Sequence, residues 1–142
     1  MGVMTTSSGP RPAVRYSGSF TLDSWEQDDD APDGALSTSR VLATKTFSGD
    51  VTGTSRTRLI LAAAGPGTLS YAGFEHLTAT VAGRSGTLAL RHAAEAGTSG
   101  SWLTWTVLPG SGTGGLAGAG GEGQIERHDD GTHTFWLDLA LD

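Results

Sequence analysis

The sequence contains no cysteine and more acidic than basic residues, and both features limit what the protein can be. Without cysteine there is no disulfide, thiolate metal site or cysteine nucleophile, so packing and sheet hydrogen bonds must stabilise the fold. A cytoplasmic location is therefore expected. Nine Lys and Arg residues oppose fifteen Asp and Glu residues. Because nucleic-acid binding depends on clustered basic side chains, no nucleic-acid partner is expected.

Long apolar runs are also absent. No stretch approaches the roughly 20 residues that span a bilayer, so no membrane partner is expected. Residues 1–12 lack the charged start and apolar middle of a secretory signal, and we interpret them as a disordered tail. The chain of 142 residues is long enough for one core and too short for two. A single domain is expected over 13–142.

Glycine is abundant, with 22 residues placed mainly between short runs of Val, Thr, Leu and aromatic residues. Glycine in such positions marks turns and bulges, and the runs between them alternate apolar and polar side chains. The acidic stretch 26–33 holds little that could be buried, and we expect it to be an exposed connection. The pattern predicts strands near 14–23, 39–47, 54–63, 68–81, 87–96, 102–108, 123–128 and 133–141.

Helical periodicity is weak along the whole chain, so the predicted helix content is low. About eight short strands with turns between them favour an all-β fold. We expect an antiparallel up-and-down barrel, because closure removes exposed sheet edges, and a sandwich is the alternative.

Several segments resemble one family. They are 20–25, 45–50 with Gly53, 71–75, 83–92 and above all Pro109-Gly110-Ser111-Gly112-Thr113-Gly114 with Leu116, Gly118, Gly121, Glu122 and Gly123. This set is similar to the signature of a bacterial, actinobacterial-type family of uncharacterised function. Its barrel resembles allene oxide cyclase and the calycins. The resemblance covers residues 13–142 and implies the barrel fold, without implying a reaction.

The apparent cofactor and metal motifs lack the features that such sites require. The run 110–115 fits a bare G-x-G-x-x-G pattern, but a dinucleotide site needs a following helix, and none is predicted. We interpret the run as a tight bend at the barrel rim. His76, His92, His128 and His133 form no short ligand pair. No cofactor and no metal are expected.

Two residues are candidates for acid–base chemistry. Glu75 shares strand parity with Tyr71, which places both inside the barrel, and a buried carboxyl group suits general acid or base work. Tyr71 would donate a hydrogen bond there. The alternative for Glu75 is an ion pair with Arg84, Arg91 or Lys45 that closes one barrel end. His92 continues an apolar face and also points inward, either as an acid–base group or as a satisfied core histidine.

Large aromatic side chains complete the candidate site. Trp25 and Trp105 either plug the barrel or line a cavity. Trp102 has the opposite parity to Trp105 and should face outward, which a homodimer interface would explain. Glu122 lies between two glycines that allow a close approach by a ligand or by a barrel-end arginine.

We expect a small, mostly apolar molecule to bind in the barrel mouth, and cofactor-free isomerase or cyclase activity is the enzymatic version of this hypothesis. The alternative is a packed barrel that acts as an oligomeric structural or protein-interaction module. The sequence leaves binder and enzyme open. The candidate catalytic residues are Glu75 and His92, and the candidate ligand-binding residues are Tyr71, Trp105, Trp25, Lys45 and Glu122.

Overall fold

A computed structural model describes residues 11–142. Most of the predicted tail, residues 1–10, lies outside the described residues. The described part contains nine strands and no helix. The strands are β1 (Val14–Asp29), β2 (Leu36–Gly49), β3 (Val51–Ala64), β4 (Leu69–Val81), β5 (Arg84–Gly97), β6 (Gly100–Val107), β7 (Thr113–Gly114), β8 (Gly120–Arg127) and β9 (His133–Ala140).

Eight of these strands form a closed ring. Each pairs antiparallel with its neighbour in the order β1-β2-β3-β4-β5-β6-β8-β9, and the β1–β9 pairing closes the circle. The two-residue strand β7 adds to the β5 edge. The predicted eight-stranded antiparallel up-and-down barrel is therefore confirmed.

One end of the barrel, here called the closed end, is plugged by the glycine-rich segment 108–119. Leu116 is fully buried there. Gly86 and Gly112 let the segment approach: a Cβ on Gly86 would lie 1.9 Å from the Thr113 carbonyl oxygen, and one on Gly112 would lie 2.0 Å from the Leu116 carbonyl oxygen. The glycines are needed because backbone occupies the space of a side chain.

The apolar core fills this closed half. Phe47 packs edge-on against Phe135 with ring centroids 5.3 Å apart, and it stacks on Trp105 at 6.5 Å. A second, smaller cluster of Val41, Ala43 and Leu59 lies apart from the first. The main cluster also contains Phe20, Val51, Leu77, Val81, Leu88, Leu90, Val107, Leu116, Leu137 and Leu139.

The opposite end, the mouth, is open because the strands differ in length. β1 to β5 have 13 to 16 residues, whereas β6, β8 and β9 have 8 each. The β1–β9 ladder ends at Phe20 and His133, and the β6–β8 ladder has only the pairs that Trp105 and Thr106 make. The wall is therefore notched between the outer half of β1 and the start of β6.

The prediction that 26–33 is a loop is wrong at its start, since β1 continues to Asp29. Side-chain hydrogen bonds support this extension. Trp25 Nε1 donates to Gln27 Oε1 at 3.0 Å, Gln27 Nε2 donates to Asp29 Oδ1 at 2.9 Å, and Ser39 Oγ on β2 donates to the same oxygen at 2.7 Å. The acidic stretch is exposed as expected, but it pairs with β2.

We expect Leu116→Ala to lower the free energy of unfolding by about 2–5 kcal/mol, because it opens a cavity in the closed end. Leu36→Ala is the control, since Leu36 is exposed and its truncation should cost less than about 0.5 kcal/mol. Urea denaturation followed by circular dichroism measures both. Equal effects of the two substitutions would contradict the role of Leu116 as a plug.

Candidate functional site

The mouth leads into a cavity of about 140 Å³ to which all eight barrel strands contribute. Its walls are mainly apolar, with a few polar side chains among them. It is lined by Phe20, Leu22, Trp25, Ala43, Lys45, Thr57, Leu59, Tyr71, His92, Leu103, Ile125 and His133.

Strand alternation and one bulge place these side chains. On β2, Ala43 and Lys45 alternate inward with the core residue Phe47. On β1 the register shifts between Leu22 and Ser24, which inserts one extra residue. Trp25 therefore joins the inward face of Phe20 and Leu22, as a bulge reverses strand parity.

A buried ion pair lies beneath the cavity. Lys45 Nζ donates to Glu75 Oε1 at 3.2 Å, and Trp105 Nε1 donates to the same oxygen at 3.2 Å. Ser55 Oγ donates to the other carboxylate oxygen, Oε2, at 2.6 Å. Glu75 is fully buried and does not line the cavity. Its charge is balanced and both its oxygens are bonded, as a charge in an apolar barrel requires.

Tyr71 and His92 form the next polar pair. Tyr71 Oη lies 3.1 Å from His92 Nε2. Burial, followed by the charge of Lys45, lowers the pKa of His92 to about 4, and Glu75 opposes this. Burial and the charge of Glu75 raise the pKa of Tyr71 to about 12. At neutral pH the phenol keeps its proton and the imidazole is uncharged.

We assign the tautomer in which Tyr71 donates to His92 Nε2, because the other ring nitrogen then carries a proton towards the carboxylate. His92 Nδ1 lies 3.9 Å from Glu75 Oε1, which is too far for a hydrogen bond. Within residues 11–142, His92 Nδ1 has no hydrogen-bond partner.

Thr57 Oγ1 is the second buried polar atom without a partner in the described part of the chain. Thr57 is 1% exposed and His92 is 5% exposed, and both line the cavity. A buried polar group that lacks a hydrogen bond costs about 1–3 kcal/mol, so native proteins have few of them. Both of these atoms belong to residues that line the same cavity.

A wider depression of about 410 Å³ adjoins the cavity and shares Tyr71 and Leu103 with it. We call it the vestibule. It extends towards solvent over Leu69, Ala94 and Ser101, near the notch in the wall. The mouth therefore has a narrow inner part and a broader outer part.

The structure brings together four of the seven predicted site residues: Tyr71, His92, Lys45 and Trp25 line the cavity. Glu75 and Trp105 lie beneath them, in contact with the site but not facing the cavity. Of the two interpretations of Glu75, the structure shows the ion pair with Lys45.

Glu122 does not join the site, because it is exposed on the outer face of β8. Gly123 beside it is buried, and a Cβ there would lie 3.1 Å from the Trp105 ring. Since neighbours in a strand face opposite ways, the inward Gly123 forces Glu122 outward. The structure thus corrects its expected placement beside a ligand.

Sequence reasoning missed Thr57 and His133. Thr57 has the parity of Ser55 and Leu59, so alternation along β3 contained the signal. His133 stacks on Phe20 with centroids 4.9 Å apart, a contact that depends on the β1–β9 register. Burial is the main cause that lowers the pKa of His133. Among residues 11–142, no three His, Asp or Glu side chains converge on a metal-sized site.

The lowered pKa of His92 predicts a pH dependence of stability. The unfolded state, with a histidine pKa near 6.5, binds this proton more readily than the folded state does, so stability is lost as pH falls from about 6.5 to about 4. The loss from this group is on the order of 3 kcal/mol. Urea denaturation across this range measures the free energy of unfolding, which should depend less steeply on pH in His92→Gln than in the parent protein.

His76→Gln is the matched control, because His76 is exposed on the outer face of β4. It should leave the slope of the parent protein unchanged. If His92 titrated near 6.5 by NMR, or if both variants gave the parent slope, the buried neutral imidazole would be disproved.

The described part of the chain contains no helix of the length and apolarity that crossing a membrane requires.

No curated protein matches the sequence. The fold is similar to the crystal structure of a protein with unknown function from the DUF3224 family of Shewanella oneidensis MR-1, with a TM-score of 0.79 and 23% identity. That match covers 92% of this chain and 98% of the other.

The family model described as protein of unknown function (DUF3224) matches residues 16–139, which is nearly the whole barrel. The segments that resembled a family of uncharacterised function fall within this range. The chain therefore belongs to the DUF3224 family of proteins of unknown function.

Proposed function

We propose that this protein binds a small, mostly apolar molecule in the mouth of its barrel, with a polar group of that molecule directed at Thr57 and His92. The two unpartnered buried atoms, Thr57 Oγ1 and His92 Nδ1, carry the proposal. The two residues line a cavity whose other walls are largely aromatic and aliphatic. An apolar cavity with a few convergent polar groups is the usual form of a small-molecule site.

Size limits the ligand. The cavity of about 140 Å³ is close to the volume of about 150 Å³ that holds benzene in an engineered protein. A single ring or a short chain therefore fills the inner part. The vestibule accommodates the remainder of a longer molecule, beside Leu69 and Leu103.

The enzymatic version of the proposal requires an acid–base group that reaches a ligand in the cavity. A general base must reach the proton that it removes. Glu75 accepts hydrogen bonds from three side chains and does not line the cavity. His92 lines the cavity, but its Nε2 accepts from Tyr71 and its Nδ1 carries a proton, so neither ring nitrogen is free to act as a base. Cofactor-free isomerase or cyclase activity, and the likeness to allene oxide cyclase, stay predictions. Binding is the function that the geometry supports best.

A barrel that acts through its surface is the second candidate. Trp102 is 51% exposed and lies at the rim of the vestibule. Burial of such an aromatic surface would favour association with a partner, which is the basis of the predicted homodimer. The homodimer and the cytoplasmic location stay predictions.

Thr57→Val tests the proposed site. Valine keeps the shape of threonine and removes the unpartnered hydroxyl, so the free protein should keep or gain stability. Affinity for a ligand that bonds this hydroxyl should fall about tenfold, which corresponds to roughly 1.4 kcal/mol. Benzyl alcohol is a suitable probe, having one ring and one hydroxyl. Methyl NMR shifts of Leu59, Leu103 and Ile125 measure its binding.

Ser55→Ala is the matched contrast. Ser55 Oγ donates to Glu75, so its loss should destabilise the fold by about 1.5–3 kcal/mol, whereas Thr57→Val should not. No methyl shift with benzyl alcohol, or a Thr57→Val variant that is less stable and binds equally well, would contradict the proposal. Native mass spectrometry after exposure to a metabolite extract then identifies the natural ligand.

A further inference from the structure

We propose that Lys45 captures a carbonyl group of the ligand as an imine, so that the molecules bound in the mouth include aldehydes or ketones. The inference rests on the proposed function and specifies its chemistry. It is drawn from the identity of one residue and from the place of that residue in the cavity.

Lys45 is the only lysine in the chain, and the other basic residues are all arginines. Every arginine is exposed, whereas Lys45 is buried. Arginine is the usual choice for a buried ion pair, because its planar group bonds a carboxylate in two places and holds its charge. Lysine alone can lose its proton and become a nucleophile. The single lysine of the chain therefore lies buried at the wall of the cavity.

The surroundings of Lys45 suit this chemistry. The side chain lines the cavity, and its ammonium lies 4.5 Å from the centroid of the Phe20 ring. Among the described residues, Nζ has one hydrogen-bond partner, Glu75 Oε1 at 3.2 Å. Glu75 can take the proton that the amine must lose, since a carboxylate within hydrogen-bond distance is a competent base.

The reaction balances without an outside reagent. Lys45 Nζ passes one proton to Glu75, and its lone pair forms a C–N bond with the carbonyl carbon. A second proton moves from nitrogen to the former carbonyl oxygen, which gives a carbinolamine. Glu75 returns its proton to the nitrogen, a proton passes from the nitrogen to this hydroxyl, the C–O bond breaks, water leaves and the C=N bond forms. The net change converts an ammonium and a carbonyl into an iminium and water.

The charge of the site is unchanged by the reaction, because the iminium replaces the ammonium beside the Glu75 carboxylate. An uncharged carbonyl ligand is favoured for the same reason: Lys45 and Glu75 already neutralise each other, and a further charge would be unpaired in an apolar cavity. Thr57 lines the same cavity, and its unpartnered hydroxyl would donate to the ligand oxygen.

Reductive trapping tests the proposal. Benzaldehyde and sodium cyanoborohydride convert an iminium into a stable benzylamine, which peptide mass spectrometry locates. Arg56→Lys supplies the reference, since position 56 is exposed on the outer face of β3. Lys45 should be labelled roughly tenfold or more faster than the lysine introduced at position 56, because a bound aldehyde meets a positioned amine. Benzyl alcohol should slow the labelling of Lys45 alone.

The outcomes separate the inference from the proposed function. Benzyl alcohol binding with Lys45 labelled no faster than position 56 would leave the binding site intact and overturn the imine. Fast labelling that benzyl alcohol does not slow would place the reaction outside the cavity and also overturn it. Absence of benzyl alcohol binding together with slow labelling of Lys45 would overturn both. Fast, competitively inhibited labelling supports both.

Discussion

The buried pair of Lys45 and Glu75 is the constraint around which the interior of this barrel is arranged. Two charges in an apolar interior are tolerated only when they are paired and their remaining hydrogen-bonding groups are satisfied, and loss of one partner typically costs 3–5 kcal/mol. Ser55 and Trp105 supply the additional bonds. Below this layer the barrel is packed with aromatic and aliphatic side chains, and above it the mouth holds a cavity.

The two ends of the barrel differ because one is covered by a segment of the chain and the other is open. At the closed end, glycines let a backbone segment cover the opening and bury Leu116. At the mouth, β8 ends at Arg127 and β9 begins at His133, while β1 to β5 extend further, so the wall is incomplete. One accessible opening follows from these two features. The strands that extend beyond the core bring Tyr71, Trp25 and Leu59 to that opening, which is why apolar and polar groups meet there.

Much of this architecture could be predicted from the sequence, because alternation with a period of two is a local signal. It assigned an inward position to Glu75, Tyr71 and His92. Features that depend on pairing between distant strands were not predictable. The bulge that turns Trp25 inward, the extension of β1 along β2, and the contact of Gly123 with Trp105 that turns Glu122 outward all belong to this class.

The partner of Glu75 illustrates the same limit. Alternation along β4 predicts that the Glu75 carboxylate is buried, and a buried carboxylate requires a cation as its partner. From the sequence alone, Arg84, Arg91 and Lys45 are equally suitable partners. Strand register decides between them. Arg84 and Arg91 lie on the outer surface, whereas Lys45 shares the inward face of β2 with Ala43 and Phe47. A buried charge can thus be anticipated from one strand, while its counter-ion requires the closed barrel.

A shared fold does not imply a shared chemical role. A chain 23% identical to this one has the same barrel, and a barrel by itself specifies no ligand. A small set of polar side chains, which packing does not require, provides the hydrogen-bonding groups of the mouth. A core selected for stability alone would have no use for an unpartnered hydroxyl at Thr57 or an unpartnered imidazole nitrogen at His92, since each buried group without a hydrogen bond costs free energy. These two residues beside an apolar cavity are therefore the basis of the proposed binding site.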